Sequence, residues 1–478
     1  MNPVDKPNVL WVFADQMRGM AMSCATPQHG PHCNVHTPNL DRLAADGTRF
    51  TTACSTYPVC VPFRFSLITG QYAHSRVVPT IHYRMSPAER TIAHEFNDAG
   101  YHTAYFGKWH LDGGPMGTPG GPRLIPQQRR GGFREWHAFE LRNSYYDTWI
   151  QHDDEEPARH EGFQTDILFE LLRDWLRERD EQPFFGVLSF EAPHPPMEVP
   201  NENLQREAGR TLFRRPNVPE PGGKPFDDSQ HFWGQSWEKE LEEMAWEAHA
   251  RHYYAMVENA DDNLGRLMET LETTGLAENT IVMFFADHGE LLGSHHLFTK
   301  SSPYEESINI PFIVRGPGIQ AGQLRTFPIC TEDIFPTTLG LAGLTPQVPC
   351  PGLDITTFLQ NTGGNPERED VYLELVDEYR QSSDRLIRVP WRALRSERYL
   401  FAATPLRPWM LFDMQEDPYQ MNNLVDTPEH ASLLEQMVHR LAQRVKETED
   451  IFPFTPEKAL DTARKRPVWN IPWMIPAT

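Results

Sequence analysis

Asn8–Gln16, NVLWVFADQ, and Thr280–His288, TIVMFFADH, are built alike: one polar residue, six apolar ones, then an aspartate with a second polar side chain behind it. Neither run alternates, so each reads as a strand buried on both faces, the pattern of a parallel sheet covered by helices. Working outward, His102–Phe106, Phe184–Phe190 and Pro311–Val314 read as further strands. Pro38–Gly47 reads as a short helix with Thr37 as its cap. Tyr253, Val257, Ala260, Leu264, Leu267 and Leu271 recur at helical spacing, in a helix closed near Gly275. This order predicts an α/β fold, a mixed, mostly parallel sheet sandwiched by helices. Two Gly- and Pro-rich insertions, 112–136 and 216–232, interrupt it as long loops. Beyond Gly363 the texture changes. VYLELV (371–376), WRALRSERYLFAA (391–403) and MLFDM (410–414) read as antiparallel strands and Pro428–Lys446 as a helix, so residues 1–363 are expected to form the main domain and 364–478 a smaller α+β one.

The chain of 478 residues is 39% hydrophobic and carries a formal net charge of -22. That charge argues against nucleic acid and anionic membrane surfaces as partners. It also demands that any anionic substrate meet a local concentration of cations. No apolar run approaches membrane-spanning length, and the N-terminus carries no secretory apolar segment. The six cysteines show no disulfide framework. A cytoplasmic location is therefore expected, or a periplasmic one if a leader has been removed.

Ligands of open α/β sheets bind beyond the carboxyl ends of the strands. Asp15 and Gln16 end one such strand, and Asp287 and His288 the other. Two carboxylates with an amide oxygen and an imidazole make a divalent-cation site, although an aspartate at a strand end is also a turn former. YFGKWH delivers Lys108 and His110, SFEAPHPP delivers His194, and Lys300 follows Asp287 shortly after. Each alone reads more readily as a solvated lysine or a hydrogen-bonded histidine; their joint arrival at successive strand ends does not. Cys24, His29, His32, Cys33 and His36 have spacing that zinc tolerates, in a loop read as structural.

The chain resembles the type I, formylglycine-dependent sulfatases of the alkaline phosphatase superfamily. The resemblance runs in order through PNVLWVFADQ (7–16), TPNLDRLAADGTRFTTACSTYPVCVPFRFSLITGQY (37–72), GYHTAYFGKWHL (100–111), YYAMVENADDNLGRLMETLETTGLAENTIVMFFADHGE (253–290), KSSPYEESINIPFIVRGPGI (300–319) and LFDMQEDPYQMNNL (411–424). It implies an alkaline-phosphatase-like fold and oxidation of Cys60, in the C-x-P-x-R motif completed by Pro62 and Arg64, to formylglycine by a separate generating enzyme. Phe63 stands where many relatives have a small residue. The hydrate of that aldehyde carries two hydroxyls on one carbon, one to attack sulfur and one whose deprotonation lets sulfate go.

The resemblance further implies metal ligation by Asp15, Gln16, Asp287, His288 and the modified Cys60. Many relatives have Asp-Asp at the first pair and Asn after the second aspartate. An all-oxygen set selects calcium, and one imidazole admits manganese or another divalent ion; calcium is the reading taken. Arg64 is implied to hold the hydrate, Lys108 and Lys300 to clamp sulfate oxygens, His110 to assist elimination, and His194 to bind sulfate and protonate the leaving alcohol. His295 is implied as a substrate contact, while Arg123, Arg129, Arg130 and Arg134 of the long loop are read as contacts for a uronate or a second sulfate, or as a solvated basic loop. The expected activity is hydrolysis of a sulfate ester, on a sulfated carbohydrate. Phosphonate or phosphate ester hydrolysis is the alternative, disfavoured by the Lys-x-His pair of GKWH; a sugar-binding pseudo-enzyme is the outcome if Cys60 is never converted.

Overall fold

The computed structural model describes residues 6–25, 34–79, 81–113, 123–179, 181–218, 246–376 and 390–465. The strands in chain order are β1 (Asn8–Asp15), β2 (Thr48–Phe50), β3 (Ala53–Cys54), β4 (His102–Lys108), β5 (Glu135–Phe139), β6 (Thr148–His152), β7 (Ala158–His160), β8 (Phe184–Pro193), β9 (Thr280–Ala286), β10 (Phe312–Arg315), β11 (Gln323–Arg325), β12 (Ile329–Cys330), β13 (Asp370–Leu375), β14 (Trp391–Ser396), β15 (Tyr399–Ala403) and β16 (Pro408–Asp413). Ten of them form one sheet in the order β11-β2-β10-β9-β1-β8-β4-β5-β6-β7. The central block β9-β1-β8-β4-β5 is parallel, as the unalternated apolar runs predict. β10 runs antiparallel to both neighbours, a direction that its sequence does not encode.

The polar residue that opens β1 sets the register. Asn8 Oδ1 accepts the Phe184 N–H at 3.1 Å, and Asn8 Nδ2 donates to Thr280 Oγ1 at 3.4 Å. With Val9 opposite both Phe185 and Ile281, the three strands start level and finish level, Ala14 lying opposite Phe190 and Ala286. Their carboxyl ends therefore present Asp15 and Asp287 side by side.

Helices cover the sheet: α1 (Pro38–Ala45), α2 (Cys60–Thr69), α3 (Gln164–Arg177), α4 (Trp246–Thr273) and α5 (Thr331–Leu341). α1 and α3 each pack on α4, and α2 packs on α5. α4 ends as its sequence predicts, with Gly275 at φ 73° and the Leu276 N–H returning to Leu271 O at 2.9 Å. The cap foreseen at Thr37 is corrected. Its hydroxyl accepts the Ser23 N–H instead, and the first-turn amides of α1 at Asn39 and Leu40 donate to Asp261 of α4. A carboxylate two hundred residues distant has taken the local hydroxyl's place. No helix among the described residues is long and apolar enough to cross a membrane.

β13–β16 form a separate antiparallel sheet whose side chains divide by parity. Leu373, Ala393, Leu400, Ala402, Met410 and Phe412 join the main core, while Tyr372, Leu394, Phe401, Ala403 and Leu411 pack under α6 (Ala431–Glu447). At this seam His74 meets Glu374 Oε2 at 2.5 Å through Nδ1 and Thr448 O at 3.0 Å through Nε2. Both ring nitrogens face acceptors, so the ring is held as an imidazolium. Burial works to lower its pKa, but Glu374, Asp450 and the Thr448 carbonyl overcome that and raise it to about 9.

This pairing makes stability depend on pH. The folded pKa lies above the unfolded value near 6.5, so the stabilisation is fully present below about pH 6.5 and disappears as pH rises through 9, an effect of up to about 3 kcal/mol. Urea unfolding from pH 6 to 9.5 should show the gap between the parent and His74→Gln closing over that interval. A gap constant with pH would remove the imidazolium.

Candidate active site and metal centre

β1 and β9 deliver Asp15 and Asp287, and His288 follows. Together with Cys60, their ligand atoms all lie within 4.8 Å of one another, and all four residues are buried. His288 Nδ1–H donates to the Gly289 carbonyl at 3.0 Å, which leaves the Nε2 lone pair facing Cys60 Sγ at 3.2 Å, Asp287 Oδ1 at 3.4 Å and Asp15 Oδ1 at 3.5 Å. Orientation of a ligand imidazole by a backbone carbonyl is a recurrent metal-site device. Gly289 is required here, because a Cβ would sit 1.9 Å from Glu306 O.

Cys60 is the first residue of α2, and Gly70 closes the helix in the left-handed region. The helix carries its positive end to the same centre. Arg64, one turn on, spans both carboxylates. Its Nη2 lies 3.1 Å from Asp15 Oδ2 and 3.2 Å from Asp287 Oδ2, while Nη1 donates to Lys108 O at 2.8 Å and Ser189 Oγ at 2.7 Å. Lys108 Nζ lies 2.7 Å from Asp15 Oδ2 and 3.5 Å from Glu191 Oε1. Lys300 Nζ donates to Gln16 Oε1 at 2.7 Å and reaches Cys60 Sγ at 3.4 Å. Gln16 Nε2 is anchored on Glu290, so its amide oxygen is turned toward the centre.

Gln16 at φ 69° and His110 at φ 55° both adopt the left-handed backbone that costs L-residues roughly 1 kcal/mol or more. His194 Nδ1 is satisfied by Pro195 O at 2.6 Å, and His110 is buried with Nδ1 unpartnered among the described residues. Both feel the charges of Asp15, Lys108 and Lys300.

A family model described as Sulfatase matches residues 7–344, and one for the C-terminal region of N-sulphoglucosamine sulphohydrolase matches 293–447. An ulvan-active sulfatase of Formosa agariphila is 32% identical, across 94% of this chain and 82% of its own. The chain belongs to the sulfatase family. An endo-4-O-sulfatase of Bacteroides thetaiotaomicron is 30% identical, across 95% of this chain and 94% of its own. A solved structure from glycosaminoglycan metabolism in the same organism superposes with a TM-score of 0.79 at 26% identity, covering 95% of this chain and 99% of that one. The sulfatase is thus a sulfuric ester hydrolase with the alkaline-phosphatase-like fold.

Membership implies a divalent metal and formylglycine at position 60, and the residues fit both. Burial raises the Asp15 carboxyl, but Lys108, His194, Arg64 and Lys300 outweigh it and hold the group well below the usual carboxylate range. Burial and then Asp15 push Asp287 up to about 7 against Arg64, Lys300 and Lys108. A divalent ion at the point where the ligand atoms of Asp15, Asp287, His288 and position 60 meet would add the positive charge that keeps both carboxylates ionised. Burial, with Lys300 next, keeps His288 neutral and free to ligate. Burial and Asp15 push the Cys60 thiol up to about 11, so unmodified Cys60 is a protonated thiol at neutral pH and a poor nucleophile.

Not every residue expected here arrives in this sulfatase's site. His295 stacks on Tyr304 at 3.7 Å between ring centroids, and its amide donates to Asn217 O. It packs there rather than at the centre. Arg130 is also corrected: it is buried, with its guanidinium on Ile125 O, Asp154 and the Trp136 ring, and serves the loop rather than a substrate. Arg129 lies on Asp112. His29, His32 and Cys33 lie outside the described residues. Ser189, Glu191 and Glu290 went unread as supports. Ser189 and Glu191 carried a usable signal, two polar residues at period two in an otherwise apolar strand.

Proposed function

We propose that this sulfatase removes sulfate from a sulfated carbohydrate, with calcium held by Asp15, Gln16, Asp287, His288 and the converted Cys60. The observation that carries the reading is the meeting of four ligand-bearing side chains inside 4.8 Å with Arg64, Lys108 and Lys300 around them. When bound, the metal would acidify the nucleophilic hydroxyl and polarise a sulfate oxygen. Lys108 and Lys300 bind the remaining sulfate oxygens and balance charge that develops on them, in a site that excludes water. Arg64 fixes position 60 against the carboxylates. His194, with Nδ1–H committed to Pro195 O, would protonate the leaving alcohol from Nε2 once the ring takes up a second proton beside the bound sulfate anion, and His110 takes the proton whose loss lets sulfate depart.

A carbohydrate is supported by the glycosaminoglycan context of the structural relative. Maturation requires a formylglycine-generating enzyme acting on Cys60-Val61-Pro62-Phe63-Arg64. Cys24, Cys54, Cys330 and Cys350 are free thiols, which suits a reducing cytoplasm. The chain divides in this reading into a catalytic domain, 1–363, and a smaller one, 364–478.

The test is side-by-side turnover of an aryl sulfate and an aryl phosphonate ester by protein matured with a generating enzyme, with and without chelator. Sulfate should be preferred, the activity should vanish on chelation, and calcium should restore it. A preference for the phosphonate overturns the reading.

A further inference from the structure

Asp112 lies two residues beyond His110, at most about 7 Å of backbone away. It is 1% exposed, yet three arginines from two segments converge on it. Arg84 Nε lies 3.2 Å from Asp112 Oδ1 and donates to Asp112 O at 2.7 Å; Arg123 Nη2 donates to Oδ2; Arg129 Nε lies 3.6 Å from Oδ1. The Asp112 carboxylate is hydrogen-bonded to Arg123 through Oδ2 and faces Arg84 and Arg129 as ion pairs through Oδ1, and its own N–H donates to both oxygens of Glu140, whose carbonyl accepts the His110 amide.

Counting Asp112 and Glu140 against three guanidiniums leaves a surplus of positive charge. Among the described residues none of the three pairs with another carboxylate, and Arg123 Nη1 has no hydrogen-bond partner. Residues 114–122 contain no acidic side chain. The arginine side chains remain 47%, 31% and 26% exposed, so they reach solvent while their anchor does not. In a chain of net charge -22, three guanidiniums gathered on one aspartate are against composition. A staple joining residue 84 to the 123–129 loop would need one arginine, not three.

We propose that Arg84, Arg123 and Arg129 form an anion subsite beside the sulfate pocket, which takes a second anionic group of the saccharide, a carboxylate or a further sulfate. The inference rests on the sulfatase reading above. The guanidinium fork suits both groups, since each offers two coplanar or paired oxygens. Asp112 acts as the positioning residue: it holds the three forks together without neutralising them.

The probes are a neutral monosulfated disaccharide, a counterpart with a uronate carboxylate, a disulfated counterpart, and the desulfated products of the last two. Wild type should show kcat/KM at least about tenfold higher for one or both dianionic substrates, the scale of a hydrogen bond to a charged group. Arg84→Gln/Arg129→Gln should bring that ratio near one, and Arg129→Lys should keep part of it. The arm that loses its advantage identifies carboxylate or sulfate as the ligand. Equal losses on all three esters, or a preference surviving in the double variant, overturn the proposal. Equilibrium binding of the desulfated products reads the subsite without turnover. An anion preference there in a protein that hydrolyses none of the esters would sink the sulfatase reading and leave the subsite standing. Melting temperatures within a few degrees of wild type separate these outcomes from misfolding.

Discussion

Cys60→Ser and Cys60→Ala should each lose at least about 10³-fold in turnover, on the scale of removing a nucleophile, while melting within a few degrees of the parent. The fold has little stake in the thiol. Cys60 sits at the first position of α2, where the helix continues through nine further residues and the neighbouring amides are not held by sulfur. What it touches is the centre: His288 Nε2 at 3.2 Å, Lys300 Nζ at 3.4 Å and Asp15 Oδ1 at 3.7 Å. Serine presents one hydroxyl where the implied aldehyde hydrate presents two, so it has no elimination route for releasing sulfate. The serine protein should therefore liberate at most one equivalent of alcohol and then stop; alanine should liberate none. Peptide mass spectrometry of the parent should find aldehyde at position 60. Steady turnover by the serine variant would break the link between position 60 and the reaction.

How much of this was readable before the structure depends on what each feature needs. β1 and β9 were legible because burial on both faces writes a continuous apolar run, and the pairs Asp15-Gln16 and Asp287-His288 were legible because they end such runs. The ligand cluster follows from topology, since level strands must end together. β5, β6 and β7 were not legible. They lie at the sheet edge with partly exposed polar faces, and their histidines and acidic residues break the apolar pattern. Arg130 misled because an arginine in a basic loop looks solvated until tertiary packing places Asp154 and Trp136 against it. The convergence of Arg84 on Asp112 was invisible, since a segment before β4 supplies the guanidinium and sequence carries no trace of that pairing.

Arg64→Ala should cost both activity and stability, and calcium should give back only the second. The guanidinium is 1% exposed, and burial works against its charge, but Asp287 and then Asp15 overcome that and raise its pKa. Alanine leaves two buried carboxylates with one cation fewer, a change worth about 3–5 kcal/mol in broken buried ion pairs. In chelator the variant should therefore unfold at clearly lower urea concentration. A divalent ion at the meeting point of Asp15 and Asp287 restores the missing charge, so its stabilising increment should be larger in the variant than in wild type. Turnover should stay depressed by about 10²–10³-fold even at saturating calcium, the scale of one lost preorganised donor set. A metal cannot reproduce the planar fork that links those carboxylates to Lys108 O and Ser189 Oγ. Arg64→Lys keeps the charge but not the fork and should behave like alanine in turnover while losing less stability. An equal calcium increment in both proteins would mean that Arg64 does not neutralise the pair, and recovery of full turnover on calcium addition would leave it no part in positioning the reaction.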